Sequence, residues 1–153
     1  MSVMIDKRYL DISTIFMELQ INSDQHISEI QKDFSDVFKY LKIEFFTKPV
    51  VTEKRSAAKN IVSHQRRISE LVKIPINASV AIYDGMSVLD LEKLFTDQFG
   101  LSVQVFRKSG NVWLETTMTD GWSLKQQNEH GKEITIGTVK TAAIKGSREA
   151  DVD

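Results

Sequence analysis

Three histidines are the residues of this 153-residue sequence best suited to acid–base chemistry or metal binding. His26, His64 and His130 lie far apart, and none has a second ligand at the spacing of a helical metal site. His26 directly precedes a predicted helix, where a capping role explains it without chemistry. We therefore expect structural or surface roles for all three histidines and predict no metal site.

Paired carboxylates could act as a general acid and base, and Asp84 and Asp90 are the candidates for such a pair. Asp84 belongs to an Asp-Gly turn and Asp90 to a helix start, so local structure explains both positions. The sequence contains no GxSxG, P-loop, Rossmann or HExxH motif, and it contains no cysteine. We predict a protein that has no catalytic residues and no cofactors and is not an enzyme.

The strand that contains Trp113 suggests recognition of a protein partner. If Val112 and Leu114 face the core, the alternation of a strand turns Trp113 to the opposite side. Tryptophan and arginine are typical of interaction hot spots. A second layer of structure over this face would bury Trp113 instead, and the sequence leaves both interpretations open. The predicted partner surface consists of Arg107, Lys108, Trp113 and Trp122.

The segment 48–73 is strongly basic. Seven lysines and arginines face two glutamates there, in a chain whose formal net charge is −1. Five of the seven form a predicted anion-binding patch: Lys54, Arg55, Lys59, Arg66 and Arg67. The alternative interpretation is a solvated helix face whose charge is offset by acidic neighbours.

A strand–helix–strand–strand unit over residues 79–117 must position these candidates. Apolar and polar residues alternate from Ser79 to Tyr83, as in a half-buried strand. Ser87 is placed to cap the following helix, and Gly100 is placed to end it in a left-handed conformation. A turn at Gly110 then predicts a hairpin.

A weaker copy of this unit covers about residues 18–48. Four helix residues recur 61 positions later, and four residues of the strand that follows recur 60 positions later. The helix pairs are Lys32 and Lys93, Phe34 and Phe95, Asp36 and Asp97, and Phe38 and Phe99. The strand pairs are Leu41 and Leu101, Ile43 and Val103, Phe46 and Phe106, and Lys48 and Lys108. A related hexapeptide occurs three times, as ISEIQK, ISELVK and VLDLEK. We predict an internal duplication.

These patterns predict a single α+β domain over residues 1–145, built from the two units and a basic crossover over residues 49–76. Its fold class is two βαβ-like repeats on one mixed sheet, ferredoxin-like, with a β-grasp second half as the alternative. A short helix is predicted over residues 122–129. An edge strand is predicted around Ile134, Ile136 and Val139, and a disordered tail over residues 146–153. The core is predicted to contain Phe34, Phe38, Leu91, Phe95, Phe99, Val103 and Val105.

The string FGLSVQVFRKSGNVWLETTMTDGWSLKQQN resembles a small family of uncharacterised bacterial proteins. The resemblance covers most of residues 18–130, and it implies a fold and a cytoplasmic bacterial protein without implying a reaction. The order helix, FGL, strand, turn, strand, short helix is also similar to PB1 domains, which are ubiquitin-like pairing modules. The acidic motif with which those modules pair is missing after the hairpin.

The function predicted from the sequence is a non-enzymatic protein-interaction module, with an unknown protein partner or a second copy of the chain. The alternative is binding of an anionic ligand or nucleic acid through the basic segment. The near-zero net charge makes nucleic acid the less favoured partner. No apolar run reaches the length of a membrane span and the N-terminus lacks an apolar signal core, so we predict a cytoplasmic protein without membrane partners.

Overall fold

The computed structural model describes residues 14–47 and 60–150, with residues 139–150 described by their backbone alone. The strands are β1 (Phe16–Asn22), β2 (Leu41–Phe46), β3 (Asn77–Tyr83), β4 (Ser102–Ser109) and β5 (Val112–Glu115). The helices are α1 (Ile27–Val37), α2 (Val88–Phe99) and α3 (Leu124–Ala150). Two 3₁₀ turns, Ile68–Glu70 and Thr117–Thr119, precede β3 and α3 respectively.

The described strands form two antiparallel sheets. One sheet contains β1 and β3, and the other has the order β2-β4-β5. The predicted α+β class is confirmed, whereas the predicted single mixed sheet is wrong, and with it the ferredoxin-like and β-grasp arrangements. Each predicted βαβ unit is present, but its two strands belong to different sheets. Instead, β1 pairs with β3 and β2 pairs with β4, which are their equivalents in the other unit.

The pairing registers reproduce the spacing of the sequence repeat. Leu19 on β1 lies opposite Val80 on β3, its equivalent 61 residues later. Glu44 on β2 lies opposite Gln104 on β4, its equivalent 60 residues later. Antiparallel pairing of each strand with its own repeat is the arrangement that an approximate two-fold axis produces. The duplication therefore places Glu44 and Gln104 at the centre of the pairing between β2 and β4.

The first turns of α1 and α2 are each hydrogen-bonded to a segment that lies later in the chain. In the first unit, the Ile27 amide donates to the Arg66 carbonyl and the Ser28 amide to the His64 carbonyl. In the second unit, the Val88 amide donates to the Trp122 carbonyl and the Leu89 amide to the Asp120 carbonyl. In return, the amides of Ile68 and Leu124 donate to the carbonyls of Gln25 and Met86. These bonds satisfy amides that a helix start leaves unpaired, so neither helix start offers an open anion site.

A single apolar core joins the inner faces of both sheets to α1 and α2. Six of the seven predicted core residues are buried, and Phe99 is half-buried at the edge. The predicted caps of α2 are present: the Ser87 hydroxyl accepts from the Asp90 amide at 3.0 Å, and Gly100 has a φ of 65°. At this positive φ a side chain would be strained, which explains the glycine.

Helix α3 differs from the sequence prediction. The short helix predicted over residues 122–129 continues to Ala150, through the predicted edge strand and the first part of the predicted tail. Residues 151–153 lie outside the described residues. Packing decides the difference, because Gly131 brings α3 against Tyr40 and Lys108, and the Thr135 hydroxyl accepts from the Gly110 amide. Within the described residues, no helix combines the length and apolar composition needed to cross a membrane.

Candidate protein-interaction surface

The predicted partner surface lies on the hairpin of β4 and β5. Gly110, with a φ of 63°, supplies the left-handed conformation for the turn. Lys108 then lies opposite Trp113, and Arg107 lies opposite Leu114. Since opposed residues share a face of a sheet, Lys108 and Trp113 lie on one side while Arg107 and Leu114 lie on the other.

Strand β5 is exposed on both faces. Val112 and Leu114 are 56% and 42% exposed, and Trp113 is 36% exposed. The alternation predicted from the sequence is present, but the predicted burial of Val112 and Leu114 is wrong. The helices cover the inner face of β2 and β4, and that cover stops before the edge strand. Strand β5 therefore presents apolar side chains on two sides.

The outer face carries Trp113 in a cationic setting. The Lys42 ammonium lies 5.0 Å from the centre of the Trp113 ring and 5.5 Å from that of Phe106. The same ammonium lies 3.1 Å from the Glu44 carboxylate. Positive charge over aromatic faces is favourable, so Lys42 holds both rings in place without covering Trp113 completely.

Arg107 and Trp122 belong to a different part of the surface. The Arg107 guanidinium lies 5.9 Å from the Trp122 ring centre and donates to Gln127, which is fully buried, at 2.8 Å. His130 meets the Trp122 ring edge-on at 5.6 Å. The four residues predicted as one partner surface therefore fall into two groups, Lys108 with Trp113 on the outer face and Arg107 with Trp122 beside α3.

The outer edge of β2 is capped by other parts of the chain. The Leu41 carbonyl accepts from the Ser35 hydroxyl at 2.9 Å, and the Ile43 carbonyl accepts from the Gln31 side-chain amide at 2.6 Å. The Phe45 carbonyl accepts from the Val62 backbone amide at 2.8 Å. The outer edge of β5 has no such cover in the described part of the chain. Because the Lys108 amide donates to Tyr40 on the β2 side, the alternate backbone groups of β4 face β5. On β5, the backbone groups of Trp113 and Glu115 therefore point outward.

Glu44 anchors a buried polar cluster that sequence reasoning missed. Its carboxylate contacts Lys42 at 3.1 Å, His64 at 3.0 Å and Gln31 at 3.2 Å, although Glu44 is only 4% exposed. Gln104 beside it donates to Thr117 at 2.8 Å, and its oxygen has no partner. Aligning the repeats places two polar residues, Glu44 and Gln104, at one equivalent strand position, which is the signal that the sequence offers.

The other candidate chemical groups are not brought together. The His26 ring bonds the Gln65 carbonyl at 2.8 Å, and its backbone amide donates to Glu29 at helix α1, so its predicted capping position is present. Asp84 is buried in its turn, whereas Asp90 is exposed in the first turn of α2. Among the described residues, no group of three histidine or acidic side chains could hold a metal ion.

The predicted anion-binding patch is only partly described. Lys54, Arg55 and Lys59 lie outside the described residues. Arg66 lies 3.7 Å from the Glu70 carboxylate, and the Arg67 guanidinium donates to the Asp24 carbonyl at 3.1 Å. These contacts hold both described members of the patch to the protein itself.

Glu92 on α2 is the described carboxyl whose acidity is most altered by its surroundings. Burial raises its pKa to about 7, a bond from the Val105 amide opposes that rise, and the nearby Asp120 charge adds to it. Gln31 occupies the equivalent place on α1 and likewise bonds the backbone of the next strand. This equivalence with Gln31 indicates that Glu92 serves to hold α2 to β4 through a hydrogen bond, and not as part of a catalytic pair.

Comparison of this chain with known protein families, curated proteins and solved structures yields no match in any of the three. The resemblance of the FGLSVQVFRKSGNVWLETT string to a small bacterial family therefore remains a prediction.

Proposed function

We propose that this protein is a non-enzymatic interaction module that binds a protein partner along β5. The observation that carries the proposal is the exposure of all four β5 residues at a sheet edge that no described segment caps. Edge strands of stable monomers are usually blunted by charge, proline or a covering segment. The apolar run Val112-Trp113-Leu114 carries none of these features, which is what an edge used for strand addition requires.

The side chains around this edge suit a protein interface. Trp113 supplies a large aromatic contact that Lys42 already orients, and Lys108 adds a donor at the rim. Met118, 92% exposed, extends the apolar surface just beyond β5. An apolar centre with a polar rim is the usual composition of an interface hot spot.

Binding of an anionic ligand or nucleic acid through Lys54, Arg55, Lys59, Arg66 and Arg67 is the weaker candidate. Its support is the charge of the sequence alone, because the contacts of Arg66 and Arg67 reduce what they offer to a ligand. A steep loss of binding with added salt would favour this candidate over the hairpin, since release of counterions accompanies nucleic-acid binding.

The proposal is tested by capturing partners with the wild-type chain and with Trp113→Ala and Leu114→Arg. Phe16→Ala is the matched control, because Phe16 is an exposed aromatic residue of the other sheet. Any protein that the two hairpin variants fail to capture is then purified and titrated. We expect Trp113→Ala to weaken its binding by about 2 kcal/mol, roughly thirtyfold, with an unchanged melting temperature.

Equal binding by the wild type and both hairpin variants would overturn the proposal. A large drop in the melting temperature of Trp113→Ala would also count against it, because Trp113 would then serve the fold.

A further inference from the structure

We propose that the partner of β5 is β5 of a second copy of this chain, paired antiparallel about Leu114. This inference rests on the proposed function and names its partner. The outward backbone groups of Trp113 and Glu115 limit the registers that are possible. Antiparallel strands bond through residues whose amides and carbonyls both face the neighbour, and a pairing centred on Leu114 meets this requirement by setting Trp113 of each copy opposite Glu115 of the other.

This register brings complementary side chains together on the outer face. Across the interface, a row would run from Lys108 through Trp113 of one copy to Glu115 of the other. In the described part of the chain, neither Lys108 nor Glu115 forms an ion pair with another residue. The row would give each charge an opposite charge within reach of its side chain and would seal the exposed side of the Trp113 ring.

The same register also accounts for the exposed inner face. Leu114 would lie directly against Leu114 of the second copy, at the closest approach that antiparallel strands make. A register centred on Trp113 would instead set the two tryptophans and the two Lys108 side chains in one row, which places no carboxylate in the row of either lysine. The charges therefore favour the register centred on Leu114.

A second copy is favoured over an unrelated strand because this pairing closes on itself. Two-fold pairing uses the β5 edge of both copies, so no further copy can add along this edge. The β2 edge is already capped within each chain. The product would be a continuous sheet with the order β2-β4-β5-β5-β4-β2. With four residues per strand the contact is small, so we expect a dissociation constant on the order of micromolar.

A cysteine cross-link tests the register directly, since the chain contains no cysteine. Leu114→Cys would place two thiols on facing residues about 4.5 Å apart at Cα, within the range of a disulfide. Val112→Cys is the matched control, because Val112 is more exposed but would be offset from its own copy by four residues, about 13 Å. We expect at least about tenfold more disulfide dimer from Leu114→Cys under mild oxidation.

Charge substitution supplies a second test by sedimentation velocity on the full chain. Leu114→Asp and Leu114→Lys should each be monomeric at concentrations where the wild type is dimeric. An equal mixture of the two should regain the dimer, because opposite charges then meet at the centre of the pairing. Circular dichroism checks that each charge variant is folded. If one is not, the cross-linking of the cysteine variants tests the pairing instead.

A wild type that stays monomeric up to near-millimolar concentration would overturn this inference and leave the proposed function standing if a Trp113-dependent partner is captured. Equal cross-linking of Leu114→Cys and Val112→Cys would overturn it as well. So would a mixture of charge variants that remains monomeric, because the pairing would then not be centred on Leu114.

Discussion

Glu44 and Gln104 lie directly opposite each other on β2 and β4, at equivalent positions of the two repeats. Both residues are only 4% exposed, yet they differ in the polar contacts that surround them. Glu44 contacts a lysine, a histidine and a glutamine, while the Gln104 oxygen is buried without a partner. The repeat has thus kept a polar position and changed its chemistry.

Replacing each of these residues by leucine should separate the two environments. Glu44→Leu leaves Lys42 and His64 without their partner, but both are partly exposed, so we expect a moderate loss of about 1–3 kcal/mol. Gln104→Leu removes an unsatisfied buried oxygen, and its cost should stay within about 1 kcal/mol. Urea unfolding of both variants measures the difference, and equal losses would contradict it.

The stability of the protein should fall as the pH rises from about 4.5 to about 7, because of Glu92. The pKa of this carboxyl is about 7 in the folded state and 4.5 at its ordinary value, so the folded state binds the proton more tightly. The contribution of the group to stability is complete below pH 4.5 and is lost as the pH passes 7. Val105 limits the loss by donating to the carboxylate.

Glu92→Gln tests this dependence, because an amide oxygen can accept the same bond without a charge. We expect the variant to match the wild type near pH 4.5 and to exceed it at pH 8 by up to about 3 kcal/mol, at about 1.4 kcal/mol per pKa unit. Chemical unfolding at the two pH values supplies the comparison. An equal difference at both would show that Glu92 does not titrate in this range.

Phe95 and Phe99 differ in burial, although both match a phenylalanine 61 residues earlier in the first repeat. Phe95 is fully buried against Phe45, with ring centres 6.1 Å apart, whereas Phe99 is half-buried. We expect Phe95→Ala to cost about 3–5 kcal/mol and Phe99→Ala distinctly less, since surrounding water can reach the space it leaves. Thermal unfolding of the pair decides the matter, and a Phe95→Ala protein that melts like the wild type would refute the core assignment.

The two glycines in the first half of α3 should respond oppositely to alanine. A Cβ at Gly131 would lie 3.0 Å from the Arg107 and Tyr40 side chains and 3.2 Å from the Lys108 carbonyl, whereas one at Gly137 meets no described atom within 4 Å. Gly137→Ala should gain about 0.5–1 kcal/mol from helix propensity. Gly131→Ala should lose about 1–3 kcal/mol through overpacking, and a gain there would show that α3 does not pack as described.

The sequence by itself determined the local elements and the repeat. The apolar spacing of α1 and α2, the Ser87 and Gly100 caps and the hairpin turn follow from interactions within a few residues, which a sequence displays directly. The matched residues of the two units also predicted the duplication. Their spacings of 61 and 60 reappear in the strand registers.

Only the tertiary structure decided how the units combine. Pairing of each strand with its own repeat depends on contacts between distant residues, so the same βαβ pattern was equally compatible with one mixed sheet. The length of α3 was hidden for the same reason, since Gly131 becomes favourable within a helix only through its close approach to Tyr40 and Arg107. Exposure of Val112 and Leu114 likewise depends on where the helices end over the sheet, and alternation along a strand cannot report that.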